Sequence, residues 1–177
     1  MRALYETWTG SVIDDVDFQP IRMLTALSRG GVDYVVIGGV GARLVGSPAI
    51  TRDLDICYAR DETNLEALAV VLRGLHARLR GVDVDVPFRM DARSLRAGDS
   101  FTFSTDAGDL DVLGTPAGTS GYEDLVRTAD AVEVEGFQVL VASVDDLIRM
   151  KRAAARPKDR QHIELLAAVR DEIDAGR

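Results

Sequence analysis

Two short segments of the sequence place aspartates two residues apart among apolar residues, DLDICY at 53–58 and DLDVL at 109–113. This alternation has the two-residue period of a β-strand, so the carboxylates of Asp53 and Asp55 point to the same face, with Cα atoms about 7 Å apart. At an effective dielectric constant of about 20, two negative charges at that distance repel each other by about 2.4 kcal/mol. Because aspartate is depleted from strands, two such segments indicate a functional site.

A divalent cation would convert this repulsion into attraction. Mg²⁺ is typically held by one or two protein carboxylates together with water and substrate phosphate oxygens, so the pair predicts Mg²⁺ or Mn²⁺ and a nucleoside triphosphate. The chain has one cysteine and two histidines, which leaves carboxylates as the main ligands. A third carboxylate on a neighbouring strand, about 4.8 Å away, could hold a second ion and accept the proton of an attacking hydroxyl. Asp109 and Asp111 both have the required strand parity.

A glycine pair and a basic stretch could supply the anion-binding half of such a site. Gly38 and Gly39 follow the apolar run at 33–37 and precede a predicted short helix, where backbone N–H groups could approach a phosphate closely. Taken alone, such a pair is most often a tight turn, and a lone acid-apolar-acid pattern is often a solvated strand face. The basic stretch is RMKRAAARPKDR at 149–160, with its cations at Arg149, Lys151, Arg152, Arg156, Lys158 and Arg160.

The combination of these features resembles a known signature. The stretch VVIGGVGARLVGSPAITRDLDICY is similar to that of the nucleotidyltransferase superfamily, the DNA polymerase β-like fold: a strand, Gly-Gly, a short helix, then acid-apolar-acid on the next strand. GDLDVL resembles the strand with the third carboxylate. DLIRMKRAAARPKDRQHIELL resembles the tail of the AbiEii/MenT-like toxin branch of type IV toxin–antitoxin systems. The resemblance covers roughly residues 33 to 166.

This resemblance implies a fold and a set of roles. The fold would be α+β, with a small mixed or antiparallel sheet flanked by helices and a helical C-terminal tail. Asp111 fits the third metal-ligand position better than Asp109, and Asp159 would hold Arg156 or another basic group in place. The toxin branch usually has Asp-Leu where this chain has His162 and Ile163. The implied catalytic residues are Asp53, Asp55, Asp111 and Lys151, of which the three aspartates hold the metal; the implied nucleotide-binding residues are Gly38, Gly39, Ser47, Arg52, Lys151 and Arg156.

Purely structural interpretations of several of these residues stay open. Ser47 precedes a proline and could serve turn chemistry alone. Arg52 could be a solvated charge in a loop. Cys57 shares the strand face of Asp55, but a free cysteine is generally a small core residue. His76 is predicted at the surface or edge of a helix.

The implied reaction moves a nucleotide from a nucleoside triphosphate to an acceptor hydroxyl and releases pyrophosphate. The toxin branch implies an RNA acceptor, the 3′ end of tRNA, and a companion antitoxin protein. Two alternatives stay open. A small-molecule acceptor, as in antibiotic-modifying members of the superfamily, suits the net charge of −8, which attracts cationic aminoglycosides, whereas the basic stretch favours RNA. The third possibility is a domain that binds nucleotide or a protein partner without catalysis.

The elements that must position these residues follow from periodicity. The 177 residues are expected to form a single domain, with a mixed α/β core over 1–142 and C-terminal helices over 143–177. The sequence has no apolar run long enough for a membrane span and no secretion signal, which favours the cytoplasm. The stretch 81–98 has no clear pattern. Strands are predicted at 33–37 and 53–58, hairpins at 100–113 and 131–142, and helices at 18–29, 40–45, 61–79, 121–128, 143–155 and from there to about 173.

Overall fold

The fold places a mixed sheet between helices. A computed structural model describes residues 18–82, 88–157 and 159–176. The strands within these ranges are β1 Tyr34–Ile37, β2 Asp53–Tyr58, β3 Arg78–Leu79, β4 Ser100–Thr105, β5 Gly108–Leu113, β6 Asp130–Val134 and β7 Phe137–Val141. The helices are α1 Pro20–Arg29, α2 Gly38–Leu44, α3 Glu62–Gly74, α4 Ala92–Ala97, α5 Tyr122–Leu125, α6 Val144–Ala154 and α7 Asp159–Ala175.

The described strands form one seven-stranded sheet in the order β3-β4-β5-β2-β1-β7-β6. The central strand β2 runs antiparallel to β1 and parallel to β5. Its register with β5 sets Asp53 opposite Asp109 and Asp55 opposite Asp111. The prediction of an α+β fold with a mixed sheet and C-terminal helices is therefore confirmed.

The two faces of the sheet carry different side chains, because neighbours along a strand alternate between faces. Leu54, Ile56 and Val112 point to the larger core, which also contains side chains of α1 and α3. Ile37 and Cys57 point to the second core, where the sheet packs against α6 and α7. The aspartates of β2 share the face of Cys57, so they lie on the side that α6 and α7 partly cover.

The predicted helix at 61–79 is wrong beyond Gly74. Its end is a Schellman motif: the N–H of Ala77 donates to the carbonyl oxygen of Leu72, and that of His76 to Arg73. His76 takes the left-handed position with φ of 51°, which a helical pattern cannot reveal because glycine is the usual residue there. The chain then continues into β3. His76 consequently lies in a turn and not on a helix, with its Nδ1 2.5 Å from Oδ2 of Asp106.

Most other predicted elements are confirmed, with shifts at their ends. The short helix begins at the glycine pair itself, and the helix predicted at 121–128 is only Tyr122–Leu125. The stretch without a clear pattern contains α4, which Asp91 caps by accepting a hydrogen bond from the N–H of Ser94 at 2.9 Å. Among the described residues, no helix has both the length and the apolar character that a membrane span requires.

The C-terminal helices meet at a sharp turn. Ser143 caps α6 by accepting a hydrogen bond from the N–H of Asp146, as its sequence predicts. Ala155 ends α6 in the left-handed conformation, and α7 begins at Asp159. Lys158, one of the predicted basic residues, lies outside the described residues. The turn brings the first residues of α7 back beside the last turn of α6.

Candidate active site

Three of the predicted carboxylates converge in space. Asp53 and Asp55 on β2 and Asp111 on β5 each offer one oxygen, and these oxygens lie within 4.8 Å of one another. Strand pairing produces this arrangement, because Asp55 and Asp111 are opposite each other in a parallel pair and Asp53 is one step along on the same face. Three carboxylates at this spacing are a donor set for a hard divalent cation.

The pKa of Asp55 is strongly shifted. Burial, followed by the charges of Asp53 and Asp111, raises the pKa of Asp55 from 3.8 to about 7. Lys151 and a hydrogen bond from the N–H of Gly39 act in the opposite direction without cancelling the rise. The cluster thus has an excess of negative charge that the described side chains only partly neutralise. A divalent cation would remove this conflict, so the residues fit Mg²⁺ or Mn²⁺.

The two carboxylates of β5 have different surroundings. Asp111 belongs to the cluster, and burial raises its pKa against the opposing charge of Arg80. Asp109 also lines the pocket, but its Oδ1 accepts a hydrogen bond from the hydroxyl of Ser104 at 3.0 Å, and its Oδ2 accepts one from Arg80. Asp111 is therefore a member of the cluster, whereas Asp109 lies beside the cluster and is hydrogen-bonded to Ser104 and Arg80.

Arg80 is a site residue that sequence reasoning missed. Its Nη2 donates to Oδ1 of Asp111 at 2.8 Å, while its Nη1 donates to Asp109. Arg80 directly follows β3, whose two residues are too few to show any period, and the sequence places this position just beyond a predicted helix. The sequence would have indicated a strand at Arg78–Leu79 only if the preceding helix had been predicted to end at Gly74.

The glycine pair lies against the acids. Gly38 has φ of 63°, and a Cβ at this position would overlap the carboxylate of Asp55. A Cβ on Gly39 would overlap the side chain of Thr51, whose hydroxyl donates to Oδ1 of Asp53 at 2.8 Å. Glycine is thus required at both positions for the start of α2 to approach β2 this closely.

Lys151 lines the same pocket as the aspartates, and its charge acts to lower the pKa of Asp55. Its side chain is 14% exposed, and its Nζ lies 3.7 Å from Oδ1 of Asp159 and 3.3 Å from Nδ1 of His162. The other oxygen of Asp159 accepts a hydrogen bond from the backbone N–H of Arg156 at 3.0 Å. Asp159 thus joins the turn between α6 and α7 to the lysine. His162, where the chain departs from the toxin pattern, is a neighbour of this lysine.

These groups surround one pocket of about 510 Å³. Arg52 and Arg156 both line it, as do the glycine pair and the aspartates. Ser47 does not belong to the described residues of the pocket wall; it is buried, and its hydroxyl accepts a hydrogen bond from the N–H of Ala49. Cys57 is also buried, in accordance with its interpretation as a core residue. The remaining wall is apolar and contains Ile37, Ile50, Leu113, Pro116, Ala117, Leu147, Met150 and Ala154.

The seven-stranded mixed sheet, flanked by helices and followed by a C-terminal helix, is the architecture of a nucleotidyltransferase fold. Solved structures with this fold match the chain. The lincosamide antibiotic adenylyltransferase LnuA with bound lincomycin matches at 13% identity and a TM-score of 0.59, over 85% of this chain and 95% of that one. ANT(2″)-Ia in complex with adenylyl-2″-tobramycin matches at 14% identity and a TM-score of 0.54, over 87% of each chain.

A third match is TM1012 from Thermotoga maritima, at 16% identity and a TM-score of 0.50, over 87% of this chain and 89% of that one. No protein-family model matches the sequence, and neither does any curated protein. At these identities the likeness establishes the nucleotidyltransferase fold.

Proposed function

We propose that this protein transfers a nucleotide from a nucleoside triphosphate to an acceptor hydroxyl, with release of pyrophosphate. The observation that carries the proposal is the convergence of Asp53, Asp55 and Asp111 in a pocket that Lys151 faces. Divalent cations bound by these oxygens would neutralise the carboxylates and the charge of the triphosphate. We place the protein in the cytoplasm, where nucleoside triphosphates are available.

Individual residues of the pocket have separate roles in this proposal. Lys151 contacts the triphosphate, and the ion pair with Asp159 fixes the position of the lysine. Gly38 and Gly39 let the backbone approach a phosphate, while Arg52 and Arg156 add positive charge at the pocket wall. Asp111 accepts the proton of the acceptor hydroxyl. Ser47, because it is buried and bonded to its own turn, has no role in this scheme.

Incubation with each nucleoside triphosphate labelled at the α-phosphate tests the proposal. Label should appear on an acceptor in the presence of Mg²⁺ or Mn²⁺, and pyrophosphate should be released in equal amount. Asp55→Asn serves as the negative control. If no triphosphate is consumed with RNA or small-molecule acceptors, the alternative of a non-catalytic binding domain replaces this proposal.

The contribution of Lys151 can be separated from that of its neighbour Arg152. Lys151→Ala is expected to reduce transfer about 100-fold with any acceptor, because a shielded cation beside the triphosphate is lost. Arg152→Ala, which removes an exposed cation from the same helix, should leave nucleotide binding unchanged. Binding of a fluorescent nucleotide and steady-state transfer are the measurements. If both variants lose nucleotide binding equally, Lys151 has no specific role. Melting curves show whether loss of the ion pair between Lys151 and Asp159 destabilises the protein.

For the acceptor, our first proposal is RNA, specifically the 3′ end of tRNA as in the toxin branch. A second concavity of about 390 Å³ lies between α6 and α7 and shares Lys151, Arg156 and Asp159 with the catalytic pocket. Arg152 and Arg160 line it as well. Arg149, predicted to join this basic patch, instead contacts Asp124 and Asp146. The patch is thus continuous with the site although the chain as a whole is acidic.

The salt dependence of RNA binding tests this patch. Each phosphate contact adds about 0.7 to 0.9 to the slope of log affinity against log salt, so Arg152→Gln with Arg160→Gln should flatten the slope by up to about 1.8. A double variant of Arg29 and Arg93, on α1 and α4, removes the same charge elsewhere and should keep the wild-type slope. Filter binding of tRNA across a salt series is the measurement. Equal slopes, or no binding at low salt, would favour the small-molecule acceptor. Lys158 belongs to the same patch by sequence and lies outside the described residues.

The second candidate acceptor is a small molecule such as an antibiotic. Two structural neighbours favour it, because LnuA was solved with lincomycin and ANT(2″)-Ia with adenylyl-2″-tobramycin. The net charge of −8 also suits a cationic acceptor. Parallel transfer assays with tRNA, a lincosamide and an aminoglycoside distinguish the candidates. A neighbouring gene that encodes an antitoxin-like protein would support the toxin assignment, whereas a resistance cassette would support the small-molecule one.

A further inference from the structure

Arg80 occupies an unusual position relative to the acidic cluster. Its backbone N–H donates to the carbonyl oxygen of Thr102 at 2.9 Å, and Thr102 lies opposite Asp111 in the register of β4 and β5. Asp111 in turn lies opposite Asp55. The four residues therefore form one row across the sheet, and residues of one row share a face. Arg80 reaches over the small side chain of Thr102, about two strand spacings, to contact Asp111.

The guanidinium serves two carboxylates at once. Nη2 donates to Asp111 and Nη1 to Asp109, with 34% of the arginine side chain exposed and 19% of that of Asp111. The planar fork of an arginine suits such a double contact, which a lysine cannot reproduce. Asp111 offers an oxygen to the triad at the same time. One carboxylate is thus shared between a fixed internal cation and the place where a divalent cation would bind.

We propose that Arg80 is an internal counter-ion of the acidic cluster, which neutralises Asp111 and Asp109 before metal binding and competes with a divalent cation for Asp111. The inference rests on the proposed function, because it assumes that the cluster binds metal. Two physical effects set its sign. A guanidinium close to the cluster repels a divalent cation, and its hydrogen bond withdraws electron density from a ligand oxygen.

The opposing effect is orientation. Arg80 also holds the carboxylate of Asp111 in place, and its loss would free the two side-chain torsions of that aspartate. That cost is small, because Asp111 lies on a strand that is paired on both sides, with β4 and with β2. Competition therefore outweighs orientation, and Arg80 sets the metal affinity below the value that three unpaired carboxylates would give.

Titration of Mn²⁺ into the metal-free, nucleotide-free protein tests the inference, with isothermal calorimetry or the spin-resonance signal of free Mn²⁺ as readout. Arg80→Gln is expected to bind Mn²⁺ about three- to tenfold more tightly than wild type. The matched control is Arg78→Gln, which removes one positive charge two residues earlier, from the edge strand that Arg80 follows, and should change the affinity less than about twofold. Arg80→Lys keeps the charge without the fork and should fall between wild type and Arg80→Gln. If Arg80→Gln does not fold, the comparison of Arg80→Lys with wild type tests the inference.

Failure of the counter-ion inference can be distinguished from failure of the proposed function. If Asp55→Asn abolishes Mn²⁺ binding but Arg80→Gln binds as wild type or more weakly, the counter-ion role is wrong and the metal site stands. An equal gain in Arg78→Gln would also overturn it, because the effect would then be one of overall charge. If wild type does not bind Mn²⁺ at millimolar concentrations, the proposed function fails and this inference fails with it.

Discussion

Replacing Asp55 with asparagine is expected to abolish nucleotide transfer while raising the melting temperature in metal-free buffer at pH 8. The substitution removes a metal ligand and, at the same time, a buried charge that two other carboxylates repel. Asparagine retains an oxygen that can accept the N–H of Gly39. A gain of about 2 kcal/mol corresponds to about 4 to 8 °C for a chain of this size. Asp53→Asn should lose transfer in the same way.

The pH dependence of stability gives this prediction a second readout. Because the folded-state pKa of Asp55 is raised to about 7 from an ordinary value of 3.8, the folded protein holds this proton more tightly than the unfolded chain. The resulting stability is fully present below about pH 4 and is lost as pH rises toward 7. Asp55→Asn should lack this part of the pH dependence.

Thermal melts of wild type and Asp55→Asn between pH 4 and 8, with EDTA or with Mg²⁺, together with a transfer assay, provide the measurement. Mg²⁺ should stabilise wild type at pH 8 and leave Asp55→Asn nearly unaffected. Full transfer activity in Asp55→Asn would show that the site assignment is wrong.

The second large effect separates the two acids of β5. Asp111→Asn is expected to reduce turnover at least 100-fold, because it removes a member of the triad, whereas Asp109→Asn should cost less than about threefold. Both variants make the same chemical change two residues apart on one strand, so each controls for the other. Steady-state turnover at saturating triphosphate and metal is the measurement. A larger loss in Asp109→Asn would mean that the third ligand has been assigned two residues from its true position.

The site could be anticipated from the sequence where periodicity was strong. The alternation in DLDICY and DLDVL specified two strands and the parity of their acids, and the glycine pair marked the start of α2. The parallel register between β2 and β5, which decides how the acids meet, is set by tertiary packing that no local pattern encodes. The same reason explains why Arg80 was missed, since its position depends on a two-residue edge strand. Ser47 was predicted to bind nucleotide, and its burial could not be foreseen, because a loop hydroxyl gives no sequence signal of whether it faces the core.

The pairing of β2 with β5 has a consequence for when the site forms during synthesis. Asp53 and Asp55 leave the ribosome long before Asp111, and Lys151 and Asp159 follow later still. A nascent chain that ends before β5 therefore carries the first acid pair without its third member and without the facing lysine. Pairing of such distant segments is also a slow step in folding, because a long loop must close first. The complete constellation can exist only after most of the chain has been translated, because a nascent chain that ends before Asp159 lacks at least one of these residues.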